Sequence, residues 1–248
     1  KTEDRTRRGN LERRSAGEGI MNQAEQELRS LVALCCRMLE ASNLIDFSGH
    51  VSCRSDGGFL INPRDQSRFT AKPEELVEAC LDGSSAASGR GALPSESYIH
   101  SSIYNLRPDV NAIAHLHSPA VISLSIAGRP IFPAVINGAV FANGIPIYND
   151  SRLVNSMARG DQLAKALGNA RAVIIRGHGS VVVAESVKSL FFACVYFERN
   201  AERLREAYQI GNPQPLPPEE LEEMRQWLSK ERVHGKIWDY YASMLDHR

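Results

Sequence analysis

The stretch VNAIAHLHS, residues 110–118, places two histidines, His115 and His117, at the end of an apolar run. Such a run, ending in a polar turn, predicts a buried strand. Alternate side chains of a strand point to the same face, so the two imidazoles leave that face roughly 7 Å apart at the backbone and can converge on one ion. A catalytic divalent cation takes three protein ligands and keeps an open position. The strand therefore predicts part of a metal site that needs a third ligand.

A candidate third ligand follows some sixty residues later in the stretch AVIIRGHG, residues 172–179. Its β-branched residues predict a second strand, and the glycines on either side of His178 allow a sharp turn with room for the imidazole to face a cavity. A lone histidine is more often a satisfied core or surface residue, and paired histidines also arise by chance. On spacing alone, a three-histidine metal site and structural histidines both remain open.

The composition indicates one large domain without a nucleic-acid or membrane partner. The chain has 248 residues and a formal net charge of zero, enough length for a substantial core and no excess charge to attract a polyanion. Its five cysteines include no CxxC motif, which is typical of reduced thiols in a cytoplasmic protein. Residues 1–21 lack an apolar signal region, and we interpret them as a flexible N-terminal extension before a single domain at 22–248.

Hydrophobic periodicity and turn residues predict the remaining elements. Helices are expected at about 22–41, 95–106, 119–127, 152–167 and 185–208, and strands at 50–54, 59–61, 131–140, 172–175 and 181–183, with a hairpin turn at 56–58. A proline-rich linker at 213–218 leads to an amphipathic C-terminal helical segment. Ser95 is a candidate N-cap of the second helix, which places Glu96 in its first turn. The simplest interpretation of Glu96 at this stage is a capping charge favoured by the helix dipole.

Four motifs occur in one order: SGHVSCR at 48–54, PSESYIH at 94–100, RPDVNAIAHLHSPAV at 107–121, and GHG before a long helix. This order, over about residues 28–210, resembles the class II aldolase/adducin family. The resemblance implies an α/β class, with a three-layer α/β/α fold and a mostly antiparallel central sheet. It also implies a C4-like homotetramer with active sites near the subunit interfaces.

The resemblance also assigns residues. His115, His117 and His178 would bind a catalytic divalent cation, for which manganese is our first expectation, with zinc, iron or cobalt also accepted by such a site. Glu96 would be the acid/base residue rather than a cap. His100 lies one helical turn on and would either orient Glu96 or pack.

The departures from the family pattern point to the substrate. His50 stands where the aldolases carry a phosphate-binding asparagine, and the loop NPRDQSR, residues 62–68, replaces their Thr-Gly loop. Arginine forks suit planar carboxylates. We therefore expect a carboxylated substrate, held by Arg64 first and Arg68 second, with His50 as a second catalytic residue. The further predicted substrate-binding residues are Ser48, Gly49 and Ser95.

The Gly-His-Val-Ser variant is similar to the decarboxylases of this family that act on ortho-hydroxy aromatic or pyridine dicarboxylates, such as 3,4-dihydroxyphthalate or, in vitamin B6 breakdown, 3-hydroxy-2-methylpyridine-4,5-dicarboxylate. The mechanism expected is that a metal chelates the ring hydroxyl and the adjacent carboxylate, CO2 departs, and Glu96 or His50 delivers the proton. A sugar-phosphate aldolase or epimerase, such as fuculose-phosphate aldolase, is the alternative. A non-catalytic, adducin-like interaction module ranks last, because it would have no need of the three histidines.

The first testable prediction concerns assembly. Because the resemblance implies a tetramer, we expect the purified protein to be an oligomer at micromolar concentration. Light scattering coupled to size-exclusion chromatography measures the mass, and a monomeric mass would count against this expectation.

Overall fold

A computed structural model describes residues 23–85 and 91–245, so the predicted extension at 1–21 lies outside the described residues. The helices are α1 Gln23–Ala41, α2 Tyr98–Leu106, α3 Pro119–Ile126, α4 Met157–Leu167, α5 Val187–Ile210, α6 Pro218–Leu228 and α7 Glu231–Leu245. The strands are β1 His50–Ser55, β2 Gly58–Ile61, β3 Val77–Cys80, β4 Ala112–Leu116, β5 Ile147–Tyr148, β6 Ala172–Ile175 and β7 Gly179–Ala184. Short 3-10 helices occur at Pro73–Glu75 and Ile136–Phe141.

The seven strands form one sheet in the order β3-β2-β1-β4-β7-β6-β5. Every pairing is antiparallel except the one between β5 and β6. Helices cover both faces, because the strands bury apolar side chains on each side. The predicted α/β class, with a mostly antiparallel central sheet between two helical layers, is confirmed.

Strand β4 shows how the sheet divides the core. Ala112, Ala114 and Leu116 pack into the cluster that contains α1 and α5, whereas Ile113 packs into the cluster that contains α2 and α4. Since side chains alternate between faces, His115 points to the same side as Ile113. The first predicted metal ligand therefore lies on the sheet face covered by α2.

Strands β1 and β2 form the predicted hairpin, with Gly57 in its turn at φ +80°. Left-handed backbone is accessible to glycine at little cost, which suits a two-residue hairpin loop. On its other edge β1 pairs with β4, and His50 lies directly opposite His115. This register brings the variant Gly-His-Val-Ser motif beside the histidine strand.

The predicted strand at 131–140 is wrong. Its first part is irregular and its second belongs to the 3-10 helix. The side chain of Asn200, on α5, accepts a hydrogen bond from the Ala134 amide and donates one to the Phe132 carbonyl. Because a buried side chain satisfies these backbone groups, the segment needs no neighbouring strand.

Two predicted helix starts also differ. The helix expected from residue 152 begins at Met157, because the Val154 amide donates to the Glu96 carboxylate instead of joining a helical turn. Helix α2 begins at Tyr98 with Ser97 at its N-cap position, so the assignment of Ser95 as the cap is wrong.

The C-terminal helices follow the proline-rich segment, as predicted. Leu221, Leu228 and Trp238 are buried in the same cluster as α1 and α5, so α6 and α7 share the core of the preceding chain. Among the described helices, none combines the length and the apolar character needed to cross a membrane.

Candidate metal centre

The three predicted histidine ligands meet at one end of the sheet. Strand β4 supplies His115 as its fourth residue and His117 just beyond its end, and the turn between β6 and β7 supplies His178. One ring nitrogen of each histidine lies within 4.8 Å of the others. Three side chains far apart in the sequence thus form one cluster with the spacing of a metal site.

The glycines on either side of His178 are each required by a different feature, the backbone conformation at Gly177 and the close packing at Gly179. Gly177 has φ +67°, a left-handed conformation that side chains disfavour. A Cβ on Gly179 would lie 2.4 Å from the Leu116 carbonyl oxygen and 3.0 Å from His117 Cδ2. The close approach of β7 to β4 therefore depends on a missing side chain, which supports the interpretation of the GHG motif as a packed turn.

Hydrogen bonds fix which nitrogen of two imidazoles faces the cluster. Nδ1 of His115 lies 3.1 Å from the Ser180 carbonyl oxygen, and Nδ1 of His117 lies 2.9 Å from Asp46 Oδ1. Both acceptors require a hydrogen on Nδ1, so in the neutral rings each Nε2 carries a lone pair. The two Nε2 atoms are 3.2 Å apart. Two lone pairs at this distance repel each other, and a shared cation would relieve that repulsion.

The protonation state and the neighbours of the histidines also suit a divalent cation. Burial lowers the pKa of His115 to about 3, which keeps its imidazole neutral and available as a donor. Asp46 holds His117 as outer-shell carboxylates hold metal-ligating histidines. Although burial acts to raise the pKa of Asp46, hydrogen bonds from the Ser48 amide and His117 lower it. The residues present therefore fit a divalent cation.

Glu96 borders the cluster. Its Oε2 lies 3.5 Å from His178 Nε2 and 3.6 Å from His115 Nε2, while Oε1 accepts from the Val154 amide. Burial acts to raise the pKa of Glu96, but the His178 hydrogen bond, the neighbouring His115 ring and the Val154 amide together lower it to about 2. The carboxylate bonds to the segment before α4, which argues against the simple capping interpretation.

His50 also borders the cluster, with its ring centroid 5.0 Å from that of His115. Its Nδ1 lies 2.7 Å from His100 Nε2. His100 was expected either to orient Glu96 or to pack, and its described hydrogen bonds go to His50 and Ser52. The Ser52 hydroxyl oxygen lies 2.6 Å from His100 Nδ1 and 2.8 Å from the Tyr104 hydroxyl oxygen.

Sequence reasoning missed Asp46, Ser52 and Tyr104. Ser52 follows His50 by two residues on a strand, and Tyr104 follows His100 by four on a helix. Both spacings place the later residue on the same face as the earlier one. That pattern could have identified Ser52 and Tyr104, whereas nothing in the sequence around Asp46 singles it out.

The predicted substrate-binding residues lie in different surroundings. Arg64 is exposed and pairs with Asp65. Arg68 is buried, its Nε donates to the Gly49 carbonyl and its Nη1 to carbonyls of its own loop, including that of Gln66. Arg68 thus joins the loop to Gly49. It uses guanidinium nitrogens that were expected to bind a substrate carboxylate.

The other predicted substrate-binding residues, Ser48, Gly49 and Ser95, also lie in different surroundings. The amides of Ser48 and Gly49 donate to Asp46 Oδ1, so this turn supports the carboxylate behind His117. Ser95 is exposed in the turn before α2, next to Glu96. Their roles toward a substrate stay predictions.

A cavity of about 380 Å³ adjoins the cluster at Asp46. Its lining consists of Glu40, Asp46, Phe47, Arg64, Asp65, Gln66, Ser67, Arg68 and Phe69. Phe47 and Phe69 are exposed apolar residues at this opening. The lining thus combines two aromatic rings and two arginines with three carboxylates, those of Glu40, Asp46 and Asp65.

The chain has an α/β/α fold whose mostly antiparallel sheet carries three histidines and a carboxylate at one end. Residues 30–204 match the family described as Class II Aldolase and Adducin N-terminal domain, and the chain belongs to that family. Class II aldolases depend on a divalent metal ion and are commonly oligomeric enzymes that bind small molecules.

Named relatives include decarboxylases and aldolases. The chain is 33% identical to 3,4-dihydroxyphthalate decarboxylase of Rhodococcus jostii over 68% of its own length and 75% of that protein. It is 27% identical to 5-deoxy-D-ribulose 1-phosphate aldolase of Bacillus thuringiensis, over 81% and 94%. L-Fuculose 1-phosphate aldolase from Glaciozyma antarctica has the same fold, with TM-score 0.79 and 19% identity over 93% of this chain and 94% of that one. Both activities are those of carbon–carbon lyases.

The second prediction tests the cluster. We expect one divalent metal ion per chain in the purified protein and its loss in His178→Ala, because two imidazoles retain a cation poorly. Elemental analysis measures the metal content of each variant.

The matched control is His234→Ala. His234 is another buried histidine, and its Nε2 donates to the Leu228 carbonyl in the C-terminal helices. This variant should keep its metal even if it melts earlier. Full metal content in His178→Ala would refute the assignment of the site.

Proposed function

We propose that this protein is a divalent-metal-dependent decarboxylase of an ortho-hydroxy aromatic or pyridine dicarboxylate. The observation that carries the proposal is the cluster of three imidazoles with Glu96 beside it and a further histidine, His50, where the aldolases bind phosphate. The 33% identity to a 3,4-dihydroxyphthalate decarboxylase supports the same substrate class.

His115, His117 and His178 would hold the cation. A bound divalent cation acts as a Lewis acid that stabilises negative charge developing on a substrate oxygen. Imidazole donors suit zinc and iron better than manganese, which prefers oxygen ligands. We therefore place zinc ahead of the manganese first expected from the sequence.

Glu96 is the group we assign to proton transfer. Its lowered pKa keeps it ionised near neutral pH, so it enters the reaction as a base that accepts the proton of the substrate hydroxyl. As the bond from the ring to the carboxylate breaks, CO2 leaves and the electron pair passes into the ring. Glu96 then returns its proton to that ring carbon and regains its charge. The carboxylate lost is the one adjacent to the hydroxyl.

The retained carboxylate needs a cation of its own. Arg64 lines the cavity that adjoins Asp46, and its only described side-chain partner is the neighbouring Asp65. An exposed pair of this kind is worth little and can be exchanged for a substrate carboxylate. We therefore keep Arg64 as the carboxylate-binding residue and assign Arg68 chiefly to holding its loop.

A second candidate function is a sugar-phosphate aldolase. The 27% identity to the Bacillus thuringiensis enzyme favours it, and the same cluster would serve, because retro-aldol cleavage also leaves a carbanion next to an oxygen. The two functions differ in product, since the aldolase yields an aldehyde and the decarboxylase yields CO2. Incubation of metal-loaded protein with hydroxy-dicarboxylates and with sugar phosphates distinguishes them.

The third prediction concerns Glu96→Gln. The amide keeps an oxygen for the Val154 amide but loses the base, so turnover should fall about a hundred- to ten-thousand-fold while the melting temperature stays close to wild type. CO2 release and thermal unfolding are measured on the same preparation. A variant that melts early yet turns over normally would show that Glu96 has only a structural role.

The fourth prediction concerns Arg64→Ala, which should raise KM about tenfold to a hundredfold, because a charge-assisted hydrogen bond contributes about 1.5–3 kcal/mol. Steady-state kinetics with a hydroxy-dicarboxylate measure this effect. Arg203→Ala removes an exposed arginine paired with Glu206 on α5 and should leave KM unchanged. Equal KM in the two variants would exclude Arg64 from substrate binding.

A further inference from the structure

Four buried polar side chains form a continuous chain of hydrogen bonds that ends beside the candidate metal centre. It runs from His50 Nδ1 to His100 Nε2 at 2.7 Å, from His100 Nδ1 to the Ser52 hydroxyl at 2.6 Å, and from that hydroxyl to the Tyr104 hydroxyl at 2.8 Å. None of the four is more than 2% exposed. Such a chain admits only a few arrangements of its hydrogens, since every link needs one donor and one acceptor.

Burial restricts these arrangements further. Both rings are buried, and no carboxylate is among their described hydrogen-bond partners, so both are neutral and each carries a single N–H. In a neutral imidazole one nitrogen donates and the other accepts. The hydrogens of the chain can therefore run in one of two directions.

In the first direction the hydrogens point toward His50. The Tyr104 hydroxyl donates to Ser52, Ser52 donates to His100 Nδ1, and His100 Nε2–H donates to His50 Nδ1. The remaining hydrogen of the chain then lies on His50 Nε2, the nitrogen that has no partner among the described residues. A ring nitrogen of His50, one of His115 and an oxygen of Glu96 lie within 4.8 Å of one another.

In the second direction the hydrogens point toward Tyr104. His50 Nδ1–H donates to His100, His100 donates to Ser52, and Ser52 donates to the Tyr104 oxygen. The Tyr104 hydroxyl hydrogen is then left without an acceptor, because Ser52 is the one hydrogen-bond partner of that hydroxyl among the residues that the structure describes. The first direction also leaves one donor, His50 Nε2–H, without a described partner, but His50 borders the candidate metal centre, where a bound ligand can accept from it. The Tyr104 hydroxyl is buried away from that centre, and a buried donor without a partner is costly, so the first direction is favoured.

We infer that His50 is held as the Nε2–H tautomer and donates this hydrogen to an anionic oxygen of the ligand at the metal centre, with His100, Ser52 and Tyr104 as positioning residues. The donor belongs to His50 whatever the reaction is; only the identity of its acceptor, a carboxylate or phenolate oxygen of the substrate, rests on the proposed function. A fixed donor aimed at developing negative charge stabilises a transition state without reorganising.

The same chain excludes His50 as the source of the transferred proton. If His50 gave up its Nε2 hydrogen, a proton would have to follow from His100, Ser52 and finally Tyr104, and a buried tyrosinate would remain. Burial raises the pKa of Tyr104 well above its usual value, so that state is unfavourable. The proton then comes from Glu96, and His50 keeps its hydrogen throughout.

The direct test is the tautomer of His50 in the zinc-loaded protein, which is diamagnetic. Long-range 1H–15N correlation spectra of histidine-labelled protein distinguish a protonated Nε2 from a protonated Nδ1, and His50→Gln assigns the signal. We expect a single Nε2–H form. A protonated Nδ1 on His50 would overturn the inference.

The kinetic test uses two buried serines. Ser52→Ala breaks the chain at its centre, so the His50 tautomer should become mixed and kcat should fall about tenfold, with KM and metal content near wild type. Ser102→Ala is the matched control, because Ser102 is also buried and its hydroxyl has no partner among the described residues. An equal loss of kcat in both variants, or no loss in either, would contradict a positioning role for Ser52.

His100 supplies a rescue experiment. His100→Gln retains a donor for His50 Nδ1 and an acceptor for Ser52, whereas His100→Leu removes both. We expect the glutamine variant to recover most of the turnover that the leucine variant loses, and equal turnover in the two would contradict the inference. If the wild type releases no CO2 from any dicarboxylate, the proposed function fails while the tautomer measurement still decides this inference.

Discussion

The antiparallel pairing of β1 with β4 is the constraint on which the rest of the site depends. It sets His50 opposite His115, and the two-residue period of a strand keeps both imidazoles on the face covered by α2. If β1 slipped by one residue in this register, the ring of His50 would turn into the apolar cluster on the other face and would no longer lie beside His115. The neighbouring pairing of β4 with β7 then brings the turn that carries His178 to the same end of the sheet.

Three of the four imidazoles at the site have one nitrogen hydrogen-bonded to the protein and the other directed inward, whereas Nδ1 of His178 has no hydrogen-bond partner among the described residues. Ser180 and Asp46 occupy one nitrogen of His115 and His117, and His100 does the same for His50. The direction of each hydrogen is set by what lies behind the ring, so the scaffold determines whether a ring acts as a metal ligand or as a hydrogen-bond donor. Identical side chains thereby acquire different chemistry.

The sequence predicted those parts of the molecule that local patterns encode. The alternating histidines, the GHG turn and the two-residue hairpin all follow from periods of two or from glycine geometry. The strand expected at 131–140 and the early start of the helix before Met157 failed because Asn200 and Glu96, distant in sequence, hydrogen-bond those backbones. Asp46 was missed for the same reason, since only the folded chain brings it to His117.

The close approach of β7 to β4 at Gly179 has a consequence for how sequence variation at this site should be interpreted. Any side chain there would meet the Leu116 carbonyl oxygen and the ring of His117, and so would force the two strands apart. In a saturation mutagenesis screen for metal retention, position 179 would therefore be as intolerant as the histidines themselves. Gly179 has no atom that could bind a metal, yet its substitution would cause the same loss of metal as substitution of a ligand, because only glycine lets the two strands approach closely enough to position the histidines.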